Sequence, residues 1–98
     1  MSQSSWDVHD GVKLKCEIRD ENGALKDPAK LTFKIKPKGG TATVYVYGTD
    51  PEIVRESTGK YYVIWTWPSP GQWYYSWRSE NPDQYEERRP FIRGGELS

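Results

Sequence analysis

Residues 61–77 read Tyr-Tyr-Val-Ile-Trp-Thr-Trp-Pro-Ser-Pro-Gly-Gln-Trp-Tyr-Tyr-Ser-Trp, which is the most informative stretch of the chain. Its first seven residues place large apolar side chains at every second position, and its last five do so again. Between them stands Pro-Ser-Pro-Gly, a combination that interrupts regular structure. Aromatic and β-branched residues at a period of two are typical of strands with one buried face. The stretch therefore predicts two consecutive β-strands.

The same period of two recurs on both sides of this stretch. Further strands are predicted at residues 12–18, 31–35, 41–47, 53–54 and 85–92. About seven strands with frequent turn signals and no convincing helix predict an all-β, immunoglobulin-like antiparallel β-sandwich. A five- or six-stranded barrel is the structural alternative. Pro90 predicts an edge position for the last strand, because proline has no N–H to donate to a central ladder.

Composition narrows the classes of function. The chain has 98 residues, and its 14 basic and 14 acidic side chains give a formal net charge of zero. A nucleic-acid binder of this size usually carries a basic excess, so no nucleic-acid partner is expected. With one cysteine, Cys16, and one histidine, His9, the sequence excludes an intrachain disulfide and a zinc site built on thiolates. The 14 aromatic residues predict a core built largely from rings.

The chain divides into a flexible N-terminal arm at residues 1–10, a sandwich domain at 11–93 and a tail at 94–98. Trp6 is the apolar anchor through which the arm is expected to order on a neighbour. The first residues lack the features of a signal peptide, and the longest apolar run, 61–65, is too short to span a bilayer. A soluble protein made in the cytoplasm, without membrane contact, is therefore expected.

Tyr61 follows a glycine turn and begins a strand, as does the corner tyrosine of Greek-key sandwiches. In that arrangement the ring packs in the core and the hydroxyl bonds a nearby backbone group. A structural role is therefore predicted for Tyr61, and a role in ligand binding is not.

Two interpretations are open for the tryptophans. Trp73, Tyr75 and Trp77 either fill the space between the sheets, which is the preferred prediction, or form a platform for sugar rings or single-stranded bases. So small a domain is not expected to bury all five tryptophans. Either that face or the face carrying Trp65 and Trp67 would then be partly exposed. A carbohydrate-binding module that uses exposed tryptophans is the alternative function.

Charged residues also allow two interpretations. Lys34, Lys36 and Lys38 form a basic row on one strand face, with Lys13 and Lys15 placed beside it, and such a row could bind phosphate. The solvated side of a strand is the preferred interpretation, since lysines also block unwanted strand pairing. The run Glu-Glu-Arg-Arg at 86–89 is interpreted in the same way, as a solvated edge in preference to a rim contact with a partner.

No arrangement of residues predicts catalysis. The candidate acid–base and nucleophilic side chains are Asp50, Glu52, Glu56, Ser57 and Ser69. The carboxylates lack a spacing that suggests acid–base work or calcium binding, and the serines have no histidine nearby to activate them. The only histidine, His9, lies in the arm. The chain is therefore predicted not to be an enzyme, with no catalytic, cofactor-binding or metal-ligating residue and no cofactor.

Residues 10–93 resemble small immunoglobulin-like proteins encoded by tailed bacteriophages and prophages. The motifs that carry the resemblance are Asp-Gly-Val-Lys-Leu at 10–14, Asp-Glu-Asn-Gly at 20–23, Asp-Pro-Ala at 27–29, Pro-Lys-Gly-Gly at 37–40, Val-Arg-Glu-Ser-Thr-Gly-Lys-Tyr-Tyr at 54–62, and Pro-Gly-Gln-Trp-Tyr-Tyr-Ser-Trp-Arg at 70–78. The family ends in an apolar strand, whereas this chain has Arg-Arg-Pro at 88–90. The last strand is therefore left to pair either within the chain or with a neighbour.

The resemblance implies a non-enzymatic virion protein that acts through protein–protein contacts. Such proteins decorate the capsid surface or sit at the neck or tail of the particle. The implied partners are the capsid, neck or tail proteins and, in a homo-oligomer, further copies of the chain. The implied location is the virion. An interaction domain cut from a longer protein is a third hypothesis, which the initial methionine and the closure of one domain disfavour.

Overall fold

The computed structural model describes residues 5–7 and 11–94, and for residues 5–7 it describes the backbone only. Within these ranges the chain forms nine strands and no helix. The strands are β1 (Ser5–Asp7), β2 (Gly11–Glu17), β3 (Lys30–Pro37), β4 (Thr43–Val46), β5 (Ile53–Ser57), β6 (Lys60–Thr66), β7 (Gly71–Glu80), β8 (Gln84–Arg88) and β9 (Phe91–Arg93). The all-β prediction is confirmed. Residues 1–4, 8–10 and 95–98, the Trp6 side chain and His9 lie outside this description.

The strands form two sheets. The small sheet has the order β2–β6–β5. The large sheet has the order β1–β9–β7–β3–β4, and β8 pairs with β7 beside that path. Every described pair is antiparallel except β1 with β9, which is parallel. The chain crosses between the sheets after β1, β2, β4 and β6, so the fold is sandwich-like and the barrel alternative is wrong.

Alternation along the strands supplies one core between the sheets, as the period of two predicts. On β3, Leu31, Phe33 and Ile35 are at most 1% exposed, whereas Lys34 between them is exposed. The core is made of Leu14, Cys16, Ile18, Leu31, Phe33, Ile35, Ile53, Tyr61, Val63, Trp67, Trp73, Trp77 and Ile92. Burying this apolar area is the main favourable contribution to folding.

Aromatic rings join the two sheets. Trp65 of the small sheet stands edge-on to Trp73 of the large sheet, with ring centroids 6.1 Å apart. Tyr47, just after β4, meets Tyr61 of β6 edge-on at 5.1 Å. Edge-on ring pairs add a favourable contribution beyond the area they bury. The rings therefore compensate for the small number of aliphatic residues.

The last predicted strand, 85–92, is wrong as a single strand, because the chain forms β8 and β9 with a break at Arg89 and Pro90. Pro90 is buried in the break and not on an edge strand. Its carbonyl accepts the Trp73 N–H at 3.0 Å and the Gln72 side-chain amide at 3.1 Å. Proline is tolerated there because the break requires no ladder donor. Both β8 and β9 pair with β7, so the last strand region pairs within the chain.

Candidate functional site

Tyr61 anchors a hydrogen-bond network at one end of the sandwich. Its ring is 3% exposed, which confirms the core position. The predicted backbone partner is wrong, because the hydroxyl donates to Asp27 Oδ1 at 2.9 Å. Asp27 also accepts the Gly59 N–H at 2.8 Å and the Arg55 guanidinium, with Nη2 at 3.0 Å. One carboxylate in the loop before β3 therefore joins β5, the following turn and β6.

The network stabilises the charged form of Asp27 and the neutral form of Tyr61. The bond from Arg55, then those from Gly59 and Tyr61, lower the pKa of Asp27 to about 2. Burial, followed by the bond to Asp27, raises the pKa of Tyr61 to about 12. Both pKa values move away from neutrality, which suits a structural role and not proton transfer near pH 7.

The stabilising effect of Asp27 should depend on pH. Since its pKa falls from 3.8 to about 2 on folding, the contribution is complete above about pH 5 and is lost as the pH falls through about 2. The difference in unfolding free energy between the wild type and Asp27→Asn should therefore be largest at neutral pH and shrink towards pH 2. Urea denaturation at a series of pH values measures it.

Glu21→Gln is the matched control. Glu21 is an exposed carboxylate of the turn after β2 and makes no hydrogen bond or ion pair with any other described residue. Its substitution should leave unfolding free energy nearly unchanged at every pH. A pH-independent loss in Asp27→Asn would show that the carboxylate acts through shape and not through charge.

The tryptophans belong to the core, as the preferred interpretation predicted. Trp67, Trp73 and Trp77 are 0%, 3% and 2% exposed, and only Trp65 of these four is half-buried. Trp73 donates its indole N–H to the Ser69 carbonyl at 2.9 Å, which ties it to the connection between β6 and β7. An exposed platform built from these rings is therefore wrong.

The basic row is divided between the two sheets. Lys34 and Lys36 lie on the outer face of β3, and Lys38 lies in the turn that follows. The placement of Lys13 and Lys15 beside them is wrong, because both lie on β2 of the small sheet, where Lys13 Nζ stands 4.4 Å from the centre of the Tyr62 ring. Lys34, Lys36 and Lys38 thus form their row at the large sheet without Lys13 and Lys15.

A groove of about 410 Å³ lies beside these lysines. Its lining residues are Lys34, Lys36, Lys38, Gly39, Tyr74, Tyr75, Ser76, Tyr85 and Glu87. The register explains the depression, because Ser76 of β7 pairs with Lys34 on one side and with Glu87 on the other. The small Ser76 side chain, between the longer side chains of Lys34 and Glu87, forms the floor of the groove.

The two walls of the groove differ in charge. Glu87 accepts the Tyr85 hydroxyl at 2.8 Å and pairs with Arg89 Nε at 3.2 Å. The bond to Glu87 raises the pKa of Tyr85, and the bonds from Tyr85 and Arg89 lower the pKa of Glu87. On the opposite wall, none of the three lysines makes an ion pair or side-chain hydrogen bond with another described residue. The uncompensated charge of the groove is therefore positive.

The remaining charged run forms ion pairs along an edge strand. Arg88 pairs with Glu86 and Arg89 pairs with Glu87, and both arginines are exposed. This arrangement agrees with the solvated-edge interpretation, because such exposed pairs contribute little to stability.

Asp50, Glu52, Glu56, Ser57 and Ser69 do not line the groove. Asp50 accepts the Val46 N–H at 2.8 Å and closes the turn after β4. Burial, with Glu86 and Glu17 as smaller causes, raises the pKa of Cys16 to about 12, so its thiol is neutral.

Among the described residues, no group of three or more histidine, cysteine or carboxylate side chains could hold a metal. No helix in the described part of the chain is suited to cross a membrane.

Sequence reasoning found one wall of the groove and missed the rest. The lysines were visible as an alternating row, whereas Ser76, Tyr85 and Glu87 join them only through the pairing of β3, β7 and β8. Asp27, the hub of the Tyr61 network, stands in the sequence only as the first residue of the Asp-Pro-Ala motif, and nothing local marks its long-range partners.

Comparison with known proteins gives no relative: no protein family, no curated protein and no solved structure matches this chain.

Proposed function

We propose that this chain is a non-enzymatic structural or accessory protein of a bacteriophage particle that acts through protein–protein contacts. Its place is the capsid surface or the neck or tail, and its partners are the proteins of those structures or further copies of itself. The proposal starts from the resemblance carried by the glycine turns and aromatic strands. The observation that carries it furthest is the use of the rings in the core, which leaves the outer faces of a rigid sandwich for contacts.

The strand order supports the immunoglobulin-like part of the proposal. The small sheet β2–β6–β5 corresponds to strands B, E and D of that fold, and β3, β7 and β8 correspond to C, F and G. In this correspondence β4 takes the place of the additional strand C′ of variable-type domains. A sandwich of this kind holds its two faces in a fixed geometry, which suits repeated contacts in a symmetric assembly.

The distribution of exposed apolar residues supports contact through the outer faces. Ile64, in the middle strand of the small sheet, is 59% exposed, and Tyr85 on the large sheet is equally exposed. Val44 beside Lys34 is 46% exposed. The carbohydrate-binding alternative, in contrast, loses its platform, because three of its four tryptophans are buried.

Particles made with and without the gene test the proposal. Mass spectrometry of purified particles should detect the protein at a fixed ratio to the major shell or tail protein. Electron microscopy should show density of sandwich size that is missing from particles lacking the gene. Absence of the protein from purified particles, with the protein abundant in the infected cell, would contradict the proposal.

A further inference from the structure

The groove on the outer face of the large sheet has the features of a recognition site for a polypeptide. Tyr74 and Tyr85 line it on either side of the Ser76 floor. Tyr74 is two residues before Ser76 on β7, and Tyr85 pairs with Arg78, two residues after Ser76, so the two tyrosines occupy diagonal positions around the floor. Tyrosine rings bind apolar or planar groups on their faces, and the bond of the Tyr85 hydroxyl to Glu87 holds that ring at the groove wall.

The lysines define what the ligand must carry. Lys34 and Lys36 project from the same face of β3, so their positions are about 6.7 Å apart along the strand. Every second residue of an extended peptide has the same spacing. Carboxylates at alternate positions of an extended ligand would therefore match Lys34 and Lys36, with Lys38 continuing the row beyond the end of β3.

Other features of the face favour a peptide over a nucleic acid. Glu87 on the opposite wall would repel a phosphate backbone that fills the groove. Val44, paired with Lys34 and 46% exposed, extends the face with an apolar surface. The chain as a whole has no net positive charge to attract a polyanion over long range.

We infer that the groove binds an extended acidic segment of a partner protein, with carboxylates on Lys34 and Lys36 and an aromatic side chain between Tyr74 and Tyr85. The inference rests on the proposed function in taking the partner to be a protein, and it names the surface and the chemistry of the contact. The aromatic side chain of the ligand fills the space above Ser76. Glu87 repels carboxylates from its own wall, so the carboxylates of the ligand face the lysines.

Fluorescence anisotropy with three labelled probes tests the inference. The first probe is a peptide in which glutamates alternate with glycines around a central tyrosine, the second has glutamine for each glutamate, and the third is oligo-thymidine single-stranded DNA. The glutamate peptide should bind the wild type at least about tenfold more tightly than the glutamine peptide, and added salt should weaken its binding. It should also bind more tightly than the DNA.

Two variants locate the binding. Lys34→Glu/Lys36→Glu should weaken binding of the glutamate peptide by at least about tenfold. Ser76→Tyr, which fills the floor without changing charge, should also weaken it. The matched control, Lys13→Glu/Lys15→Glu, makes the same change of charge on the small sheet and should leave binding within about twofold of the wild type. Thermal unfolding confirms that each variant is folded.

Four results would overturn the inference: no binding of the glutamate peptide, tighter binding of the DNA, equal loss in the two lysine pairs, or unchanged binding in Ser76→Tyr. The proposed function is tested by a separate measurement, the detection of the protein in purified particles. A wild-type protein that is present on particles but does not bind the peptide contradicts the groove alone. One that binds the peptide but is absent from particles contradicts the particle role.

Discussion

Replacing Trp77 with alanine should lower the free energy of unfolding by about 3–5 kcal/mol. The indole is 2% exposed on the inner face of β7, and its ring centroid lies 4.7 Å from that of Phe33, which is fully buried. Its N–H has no hydrogen-bond partner among the described residues, so the loss comes from packing and burial. Chemical denaturation at neutral pH measures the change.

Tyr74→Ala is the matched control for Trp77→Ala. Tyr74 lies on the outer face of the same strand and is half-buried, so its removal opens no cavity in the core. The expected loss is about 1 kcal/mol, the usual size of a strand preference. Should Trp77→Ala leave too little folded protein, Trp77→Phe keeps one ring and should show an intermediate loss. Equal losses at positions 74 and 77 would show that the faces of β7 are wrongly assigned.

Gly59→Ala should destabilise the protein by about 2–5 kcal/mol, from two separate causes. The backbone at Gly59 has φ of +72°, a conformation that costs other residues about 1–2 kcal/mol. In addition, an added Cβ would lie 2.8 Å from both the Ile18 carbonyl oxygen and the Lys26 amide nitrogen. These two atoms bond to each other at 2.9 Å, so the methyl group must push the chain apart at a backbone hydrogen bond.

Gly39→Ala separates the two causes. Gly39 has nearly the same φ, +74°, but a Cβ there would meet nothing within 4 Å. Its substitution should therefore cost only the conformational term, about 1–2 kcal/mol. Urea denaturation of both variants gives the difference, which measures the clash at Gly59. Equal effects at the two glycines would contradict the close approach of the chain segments around Gly59.

The strands could be predicted from the sequence because alternation is a local property. Phe33 and Lys34 belong to opposite faces in any sheet that contains them, whatever the partner strands are. The position of Pro90 shows the limit of this reasoning, since a break and an edge strand are both compatible with one proline. Only the hydrogen bonds of its carbonyl to residues of β7 distinguish them.

The candidate site depends on register and on long-range contacts, which alternation does not provide. Lys13 and Lys34 both sit at polar positions of amphipathic strands, yet they lie on opposite outer faces, because each strand joins a different sheet. The Asp27 network likewise joins residues 34 positions apart in the chain. A pattern within one strand contains no information about such partners.

The central claim is that the tryptophans hold the two sheets together and do not form a ligand surface. Hydrogen exchange of the indole N–H groups, followed by nitrogen-15 NMR, tests it most directly. The indole N–H protons of Trp67, Trp73 and Trp77 should exchange with solvent no faster than the whole domain unfolds. Their NMR signals should not shift when oligosaccharides are added. Exchange of these three within the dead time of the experiment, or shifts on addition of sugar, would contradict it.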